Sequence, residues 1–145
     1  MTVRACTESD LDKLLAYRAQ VHVDWCRERF ARDDVVILVA ADGDRILGKL
    51  HVEFGNNAEG TPEIVAAVVD PEARGRGIGT QLMGAAEALT RERGHRVLTV
   101  GVEDTNPGAR RLYERLGYEA FRDGEFPYLG APEPNPGVWL RKELA

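Results

Sequence analysis

The sequence predicts an α/β chain of the α+β type, with a mixed, mostly antiparallel central sheet flanked by about four helices. Three observations predict it. Residues 35–41 (VVILVAA), 45–54 (RILGKLHVEF) and 63–69 (EIVAAVV) are consecutive strand-type runs joined by short turns, the pattern of antiparallel neighbours. Two later helical patterns each stop at a glycine, Gly94 and Gly117, and each leads into a further strand-type run. A strand–helix–strand unit of the parallel kind occurs once and lies mid-chain, which argues against a doubly wound sheet. A chain of 145 residues is expected to form one domain, 1–145, with length enough to bury a core without disulfides or metals.

The elements follow in order. Residues 2–6 (TVRAC) read as an opening strand. Ser9 and Asp10 offer a helix cap, and Leu11, Leu14 and Leu15, with Arg18 beyond, keep helical spacing. A second helical stretch carries His22, Trp25, Cys26 and Phe30. Asp42-Gly43-Asp44 is a hairpin turn between the first two central strands, and residues 55–60 (GNNAEG) form the next turn. After residues 71–83 (PEARGRGIGTQLM) the apolar positions Ile78, Leu82, Met83, Ala85, Ala86 and Leu89 give a helix, followed by a strand over 96–102. Asn106 as cap and Pro107 at the first helical position start a last helix with the stripe Ala109, Leu112, Tyr113 and Leu116. A strand over 118–122, a proline-rich loop over 123–137 and a final strand over 138–142 complete the chain.

Composition narrows the function classes. The chain is 43% hydrophobic and 30% charged with net charge −5, whereas a nucleic-acid binder carries a basic surplus, so no nucleic-acid partner is expected. The longest uninterrupted apolar run, residues 64–69, is far too short to cross a bilayer, and the polar N-terminus does not read as a signal peptide. Cys6 and Cys26 form no CxxC pair and read as reduced thiols of a cytoplasmic protein. His22 and Cys26 stand four apart on a helix, a metal-ligand spacing, but no third ligand accompanies them, so no metal is expected.

The segment between the third central strand and the following helix carries the chemistry. Gly75, Gly77 and Gly79 alternate just before and into a helix N-terminus, where unpaired N–H groups and the positive end of the helix dipole favour an anion. Glycines let a ligand approach the main chain closely, and Arg74 and Arg76 add positive charge. Phosphate is the usual occupant of such a site; a solvated Gly-rich turn is the plainer reading. The Gly-Lys-Ser/Thr of a Walker loop is absent, and GxGxG with four residues between strand and glycines departs from the tight GxGxxG dinucleotide turn.

Here the sequence resembles a family. Residues 74–79 (RGRGIG) resemble the Q/R-x-x-G-x-G/A pyrophosphate loop of the GNAT acyltransferases, and VVDPEA before them resembles its usual lead-in. Residues 106–119 (NPGARRLYERLGYE) resemble the family's second motif, and the opening VRACTESDLDKLL is also similar. The resemblance covers nearly the whole chain. It implies acetyl-CoA as donor, with the main-chain N–H groups of Gly75, Arg76, Gly77, Ile78, Gly79 and Thr80, aided by Arg74, around the pyrophosphate. It implies that the strand edge at Ala67, Val68 and Val69 pairs with the pantetheine arm, in a gap where the parallel strand 96–102 splays away, and that the Val69 N–H is the oxyanion donor. It gives Asn106 a contact with the arm beside its role as helix cap, and it makes homodimers common.

Acetyl transfer to an amine needs a base for the amine, a donor for the oxyanion and a proton for the leaving thiolate. Tyr113, seven residues after Asn106, is the candidate acid, protonated at neutral pH; it also fits the apolar stripe of its helix. Glu63, eleven residues before Arg74, and Glu103, at the end of strand 96–102, are the candidate bases, with ordered water as a third route. The family builds its acceptor site from the first helices and the last hairpin. Here those carry Trp25, Glu28, Phe30 and Tyr128, aromatic and acidic groups suited to a small cationic amine or, more plainly, to packing and solvated charge. The leading expectation is an N-acetyltransferase acting by direct attack in a ternary complex; the alternative is a catalytically silent acyl-CoA-binding module on the same fold.

Overall fold

Why this chain makes one layered sheet is clearest at its second strand. A computed structural model describes residues 1–55, 57–127 and 131–145. Its elements are β1 (Thr2–Ala5), α1 (Glu8–Lys13), α2 (Gln20–Phe30), β2 (Val35–Asp42), β3 (Arg45–Glu53), β4 (Glu63–Val69), α3 (Ile78–Glu92), β5 (Val97–Glu103), α4 (Pro107–Arg115), β6 (Glu119–Phe126) and β7 (Asn135–Glu143). In β2, Leu38 and Ala40 pack with Ile78, Leu82, Met83 and Ala86 of α3, while Val35, Ile37 and Val39 pack with Leu11, Leu14, Val23 and Cys26 of the first helical layer. A strand covered on both faces has no use for alternation, which explains the unbroken apolar run.

Among the described residues the strands form one sheet in the order β1-β2-β3-β4-β5-β7-β6. Every pairing is antiparallel except β4 with β5. This is the predicted fold class: a mostly antiparallel mixed sheet with one parallel pair and four helices.

Two details differ from expectation. The first helix starts at Glu8 with Thr7 as its N-cap, two residues before Ser9. Asp10 sits in the first turn and accepts the Thr7 N–H at 2.7 Å while pairing with Arg4 at 2.7 Å. Those partners, Arg4 first, hold its carboxyl well below the usual range.

The second difference is the stretch 123–137, expected as loop, much of which is strand. β6 continues to Phe126 and β7 starts at Asn135, with Gly124 opposite Gly137. These glycines are sites of close packing. A Cβ on Gly124 would lie 2.7 Å from the Trp139 ring, and one on Gly101 of β5 would collide with Phe126. The rings of Phe126 and Trp139 lie 5.1 Å apart across this region.

Candidate active site

The site begins where the parallel pair comes apart. β4 and β5 are joined at Glu63 with Thr99 and Ile64 with Val100, after which β5 pairs with β7 alone. Beyond Ile64, therefore, the β5-facing edge of β4 is open. Strand alternation says which groups line it. The Asp70 N–H donates to Leu47 O of β3 at 2.8 Å, so the N–H groups of Val69 and Ala67 point the other way, into the gap.

β4 is also bulged there. Lys49 stands opposite Val68 and His51 opposite Val65, leaving Leu50 to face both Ala66 and Ala67. Ala66 takes φ +54°, the one positive φ outside glycine among the described residues. The bulge reshapes the edge at the middle of the predicted arm-binding strand, whose members Ala67, Val68 and Val69 all border the opening.

The Gly-Arg segment lies at the end of this strand. Asp70 accepts the Glu72 N–H at 3.0 Å and pairs with Arg45 at 2.9 Å, which holds the single turn Pro71–Ala73. Gly75 and Gly77 then take φ +79° and +75°, a conformation that side chains resist, and the space a Cβ would fill at either position is open. Gly77 leads directly into α3 with no side-chain cap, and the first helical bond runs from Gln81 N–H to Gly77 O. The N–H groups of Ile78, Gly79 and Thr80 thus have no partner within the helix. Arg74 and Arg76 are exposed beside them. The geometry is an anion cradle at the positive end of a 15-residue helix.

The second motif packs against the first. A Cβ on Gly79 would lie 3.0 Å from Leu112 of α4, so the two helices touch at the cradle. Asn106 caps α4 by accepting the Ala109 N–H at 3.2 Å. The next residue along from Leu112, Tyr113, is buried in the core beneath this contact, its ring 6.3 Å from that of Tyr118 and edge-on. Burial alone pushes its phenol up to about 12, so the group stays protonated at neutral pH.

The two candidate bases lie at opposite ends of the parallel pair. Glu63 begins β4, is 7% exposed, and accepts from Asn57 Nδ2 at 2.7 Å. It lines a cleft with Thr99, Phe121, Arg122, Trp139 and Arg141. Glu103 ends β5, four residues past Thr99 or about 13 Å of strand, where it accepts from Asn135 Nδ2 at 3.0 Å.

The expected acceptor residues are spread over α2. Trp25 stacks on His51 at 5.1 Å, and the Arg29 guanidinium sits 5.2 Å from the Trp25 ring centre. Glu28 is engaged by Arg32 at 2.7 Å and by Arg29 at 3.5 Å, and Phe30 packs against the smaller core cluster. Tyr128 lies outside the described residues.

A polar seam between α2 and β3 was not anticipated. Lys49 and His51 are both fully buried there. Lys49 Nζ lies 3.0 Å from His51 Nε2 and donates to the Ala66 carbonyl at 3.0 Å; Cys26 Sγ is 3.7 Å from the same His51 nitrogen. Burial lowers the Lys49 ammonium to about 8 and drives the His51 imidazole well below its ordinary value, with the Lys49 charge adding to the latter. An ammonium has donors only, so His51 Nε2 accepts and its proton belongs on Nδ1, which is buried without a partner among the described residues. The sequence signals that touched this seam were the spacing of His22 and Cys26 and the candidate acceptor residue Trp25, which stacks on His51.

The sequence profile of the acetyltransferase (GNAT) family matches residues 4–118. An uncharacterised N-acetyltransferase of Methanocaldococcus jannaschii is 33% identical over 136 residues, covering 81% of this chain and 60% of that protein. A mycothiol acetyltransferase of Geodermatophilus obscurus is 36% identical over 90 residues, 59% of this chain and 29% of that protein. The chain therefore spans 60% of the length of the first of these relatives and 29% of the second, less than two thirds of either. Among solved structures, an aminoglycoside 6'-N-acetyltransferase complexed with coenzyme A superposes with a TM-score of 0.75 at 19% identity, covering 100% of this chain and 98% of the other.

Proposed function

The chain belongs to the GNAT acetyltransferase family, and on that premise we propose that it is an N-acetyltransferase, moving the acetyl group of acetyl-CoA to a primary amine. The observation that carries this reading is one juxtaposition. An anion cradle at the start of α3 adjoins a strand edge left open by the splay of β4 from β5, and α4, the helix of Tyr113, packs against the cradle and against β5. A pyrophosphate fits the cradle, and an amide-bearing pantetheine arm fits an unpaired strand edge as an added strand would.

In this reading the N–H groups from Gly75 to Thr80 hold the pyrophosphate, with Arg74 and Arg76 adding charge. The edge at Ala67, Val68 and Val69 pairs with the arm, and Asn106, beyond capping α4, touches it near the thioester. The acceptor arrives as the ammonium of a small molecule on the α2 side of the sheet, where Trp25, Glu28 and Phe30 supply aromatic and acidic surface. It gives up its proton through water to Glu63; Glu103, at the mouth of the gap, is the second carboxylate in range of the path. The free amine attacks the thioester carbonyl directly, an N–H of the β4 edge stabilises the oxyanion, and as the C–S bond breaks Tyr113 protonates the departing thiolate while the new amide nitrogen sheds its second proton, which restores the phenol. The thiols of Cys6 and Cys26 are free, which suits a cytoplasmic setting.

Calorimetry with coenzyme A and acetyl-CoA, followed by thiol release against a panel of amines, tests the proposal. Binding tighter than about millimolar with amine-dependent release is expected. Absence of binding refutes the donor site, and binding without release to any amine leaves an acyl-CoA-binding module.

A further inference from the structure

A lysine is almost never fully buried unless paired with an acid, yet among the described residues no carboxylate bonds to or pairs with Lys49. What it has is the carbonyl of Ala66, the residue held at positive φ in the β4 bulge, and the His51 ring. A trans peptide is planar, with its C=O and N–H pointing in opposite directions. The Ala66 carbonyl that accepts from Lys49 therefore faces away from the N–H of the next residue, Ala67, which strand alternation places on the gap side. A cationic donor on that carbonyl also draws electron density through the peptide, making the same N–H a stronger donor.

We propose that Lys49 is a positioning residue for acetyl transfer: by holding the Ala66 carbonyl it locks the bulge and aims a polarised Ala67 N–H at the thioester oxygen of the donor. The inference rests on the acetyl-CoA reading above. Val69, the oxyanion donor that the family resemblance implies, offers its N–H on the same edge two residues away, so the two share one opening. Lys49 transfers no proton and forms no bond to substrate. Negative charge collects on the thioester oxygen as the amine attacks, and the peptide that receives it is already polarised from behind.

The surroundings keep this amine isolated. Among the described residues, Cys26 on α2, Arg18 before it and Cys6 after β1 act on the amine, His51 on β3 lies within hydrogen-bond distance of it, His22 on α2 feels its charge, and Arg29 on α2 acts on the same His51 ring. The device works with the ammonium form. The rate therefore loses support as pH rises through the Lys49 titration.

Two variants separate position from charge. Lys49→Gln keeps an N–H donor for the Ala66 carbonyl without the charge, and Lys49→Met keeps length and removes both. The readout is the carbonyl of acetyl-CoA bound to each protein, with the thioester labelled with carbon-13 and followed by infrared difference spectroscopy; it needs no acceptor. The bound carbonyl stretch is expected lowest in the wild type, intermediate in Lys49→Gln and highest in Lys49→Met. With the best amine of the panel, kcat should fall by about tenfold or more in Lys49→Met at nearly unchanged KM for acetyl-CoA, a share of the ~10²–10³ lost with a whole oxyanion donor. The decline of kcat at alkaline pH should vanish in both variants. An unchanged carbonyl band in variants that still bind acetyl-CoA overturns the role of Lys49 alone. Failure of the wild type to bind acetyl-CoA overturns the donor reading, and this inference with it.

Discussion

Lys49→Met also tests the energetics of the seam. The Lys49 amine is lowered from 10.5 to about 8 on folding, chiefly by desolvation. Its folded value lies below its unfolded one, so between these pH values the unfolded chain binds more protons and wild-type stability rises with pH. At about pH 7 both states are charged and burial costs about 3 kcal/mol, from the shift at ~1.4 kcal/mol per unit. Near pH 9.5, one unit short of the unfolded value, about 1 kcal/mol of that remains, so about 2 kcal/mol has been recovered. Methionine does not titrate. Its substitution also leaves the Ala66 carbonyl and His51 Nε2 without their donor, at ~1–3 kcal/mol each, but that loss does not follow the same pH course. Urea unfolding of both proteins at the two pH values isolates the effect. The phenols are common to both and cancel in the difference; the thiols of Cys6 and Cys26 interact with Lys49, so both proteins are compared with serine at these two positions. The gap between wild type and variant should move by about 2 kcal/mol in favour of the wild type at the higher pH, or about 1 M in midpoint at a slope of ~2 kcal/mol per M. A gap that is the same at both pH values would refute the account of Lys49 as a buried, desolvated ammonium.

Three further outcomes follow from the site. Tyr113→Phe should lower kcat by ~10²-fold or more while coenzyme A affinity by calorimetry stays within about twofold, since the phenol acts on the leaving thiolate and not on the cradle. Gly77→Ala forces a side chain into φ +75° and should cost ~1–2 kcal/mol of stability, with a parallel loss of coenzyme A affinity, read by thermal melting and calorimetry. Gly101→Ala places a methyl group where the Phe126 ring lies and should destabilise by ~1–3 kcal/mol by thermal melting, leaving coenzyme A binding in place.

The parts of the site that were legible in the sequence are those that local backbone demands specify. Positive φ at Gly75 and Gly77, a cap at Asn106 and an N1 proline at Pro107 are needs of a few consecutive residues, and the residue types that meet them stand side by side in the chain. The β6–β7 hairpin was legible only at its outer ends; its inner residues, 123–126 and 135–137, were not, because its glycines serve a non-local need. Gly101, Gly124 and Gly137 make room for Phe126 and Trp139 across three strands, and in sequence that looks like the punctuation of a loop.

The seam was hidden for a related reason. From Gly48 to Glu53 the strand alternates small or apolar residues with Lys49, His51 and Glu53, a pattern that ordinarily marks a face turned to water. In the fold that polar face is closed by α2, whose Trp25, Cys26 and Arg29 lie some twenty-five residues upstream and meet it by stacking, by a thiol contact and by an ion pair to Glu53 at 3.3 Å. A helix covering such a face pays in desolvation, visible in the depressed Lys49 and His51 and in His51 Nδ1 and Glu53 Oε2, which have no partner among the described residues. Apolar residues at 49 and 51 would have sealed the same interface at lower cost. They would not have offered the Ala66 carbonyl a charged donor. The cost falls at the one place where β4 bulges beside the open edge, and that coincidence is the physical ground for assigning the seam to the chemistry and not to the core.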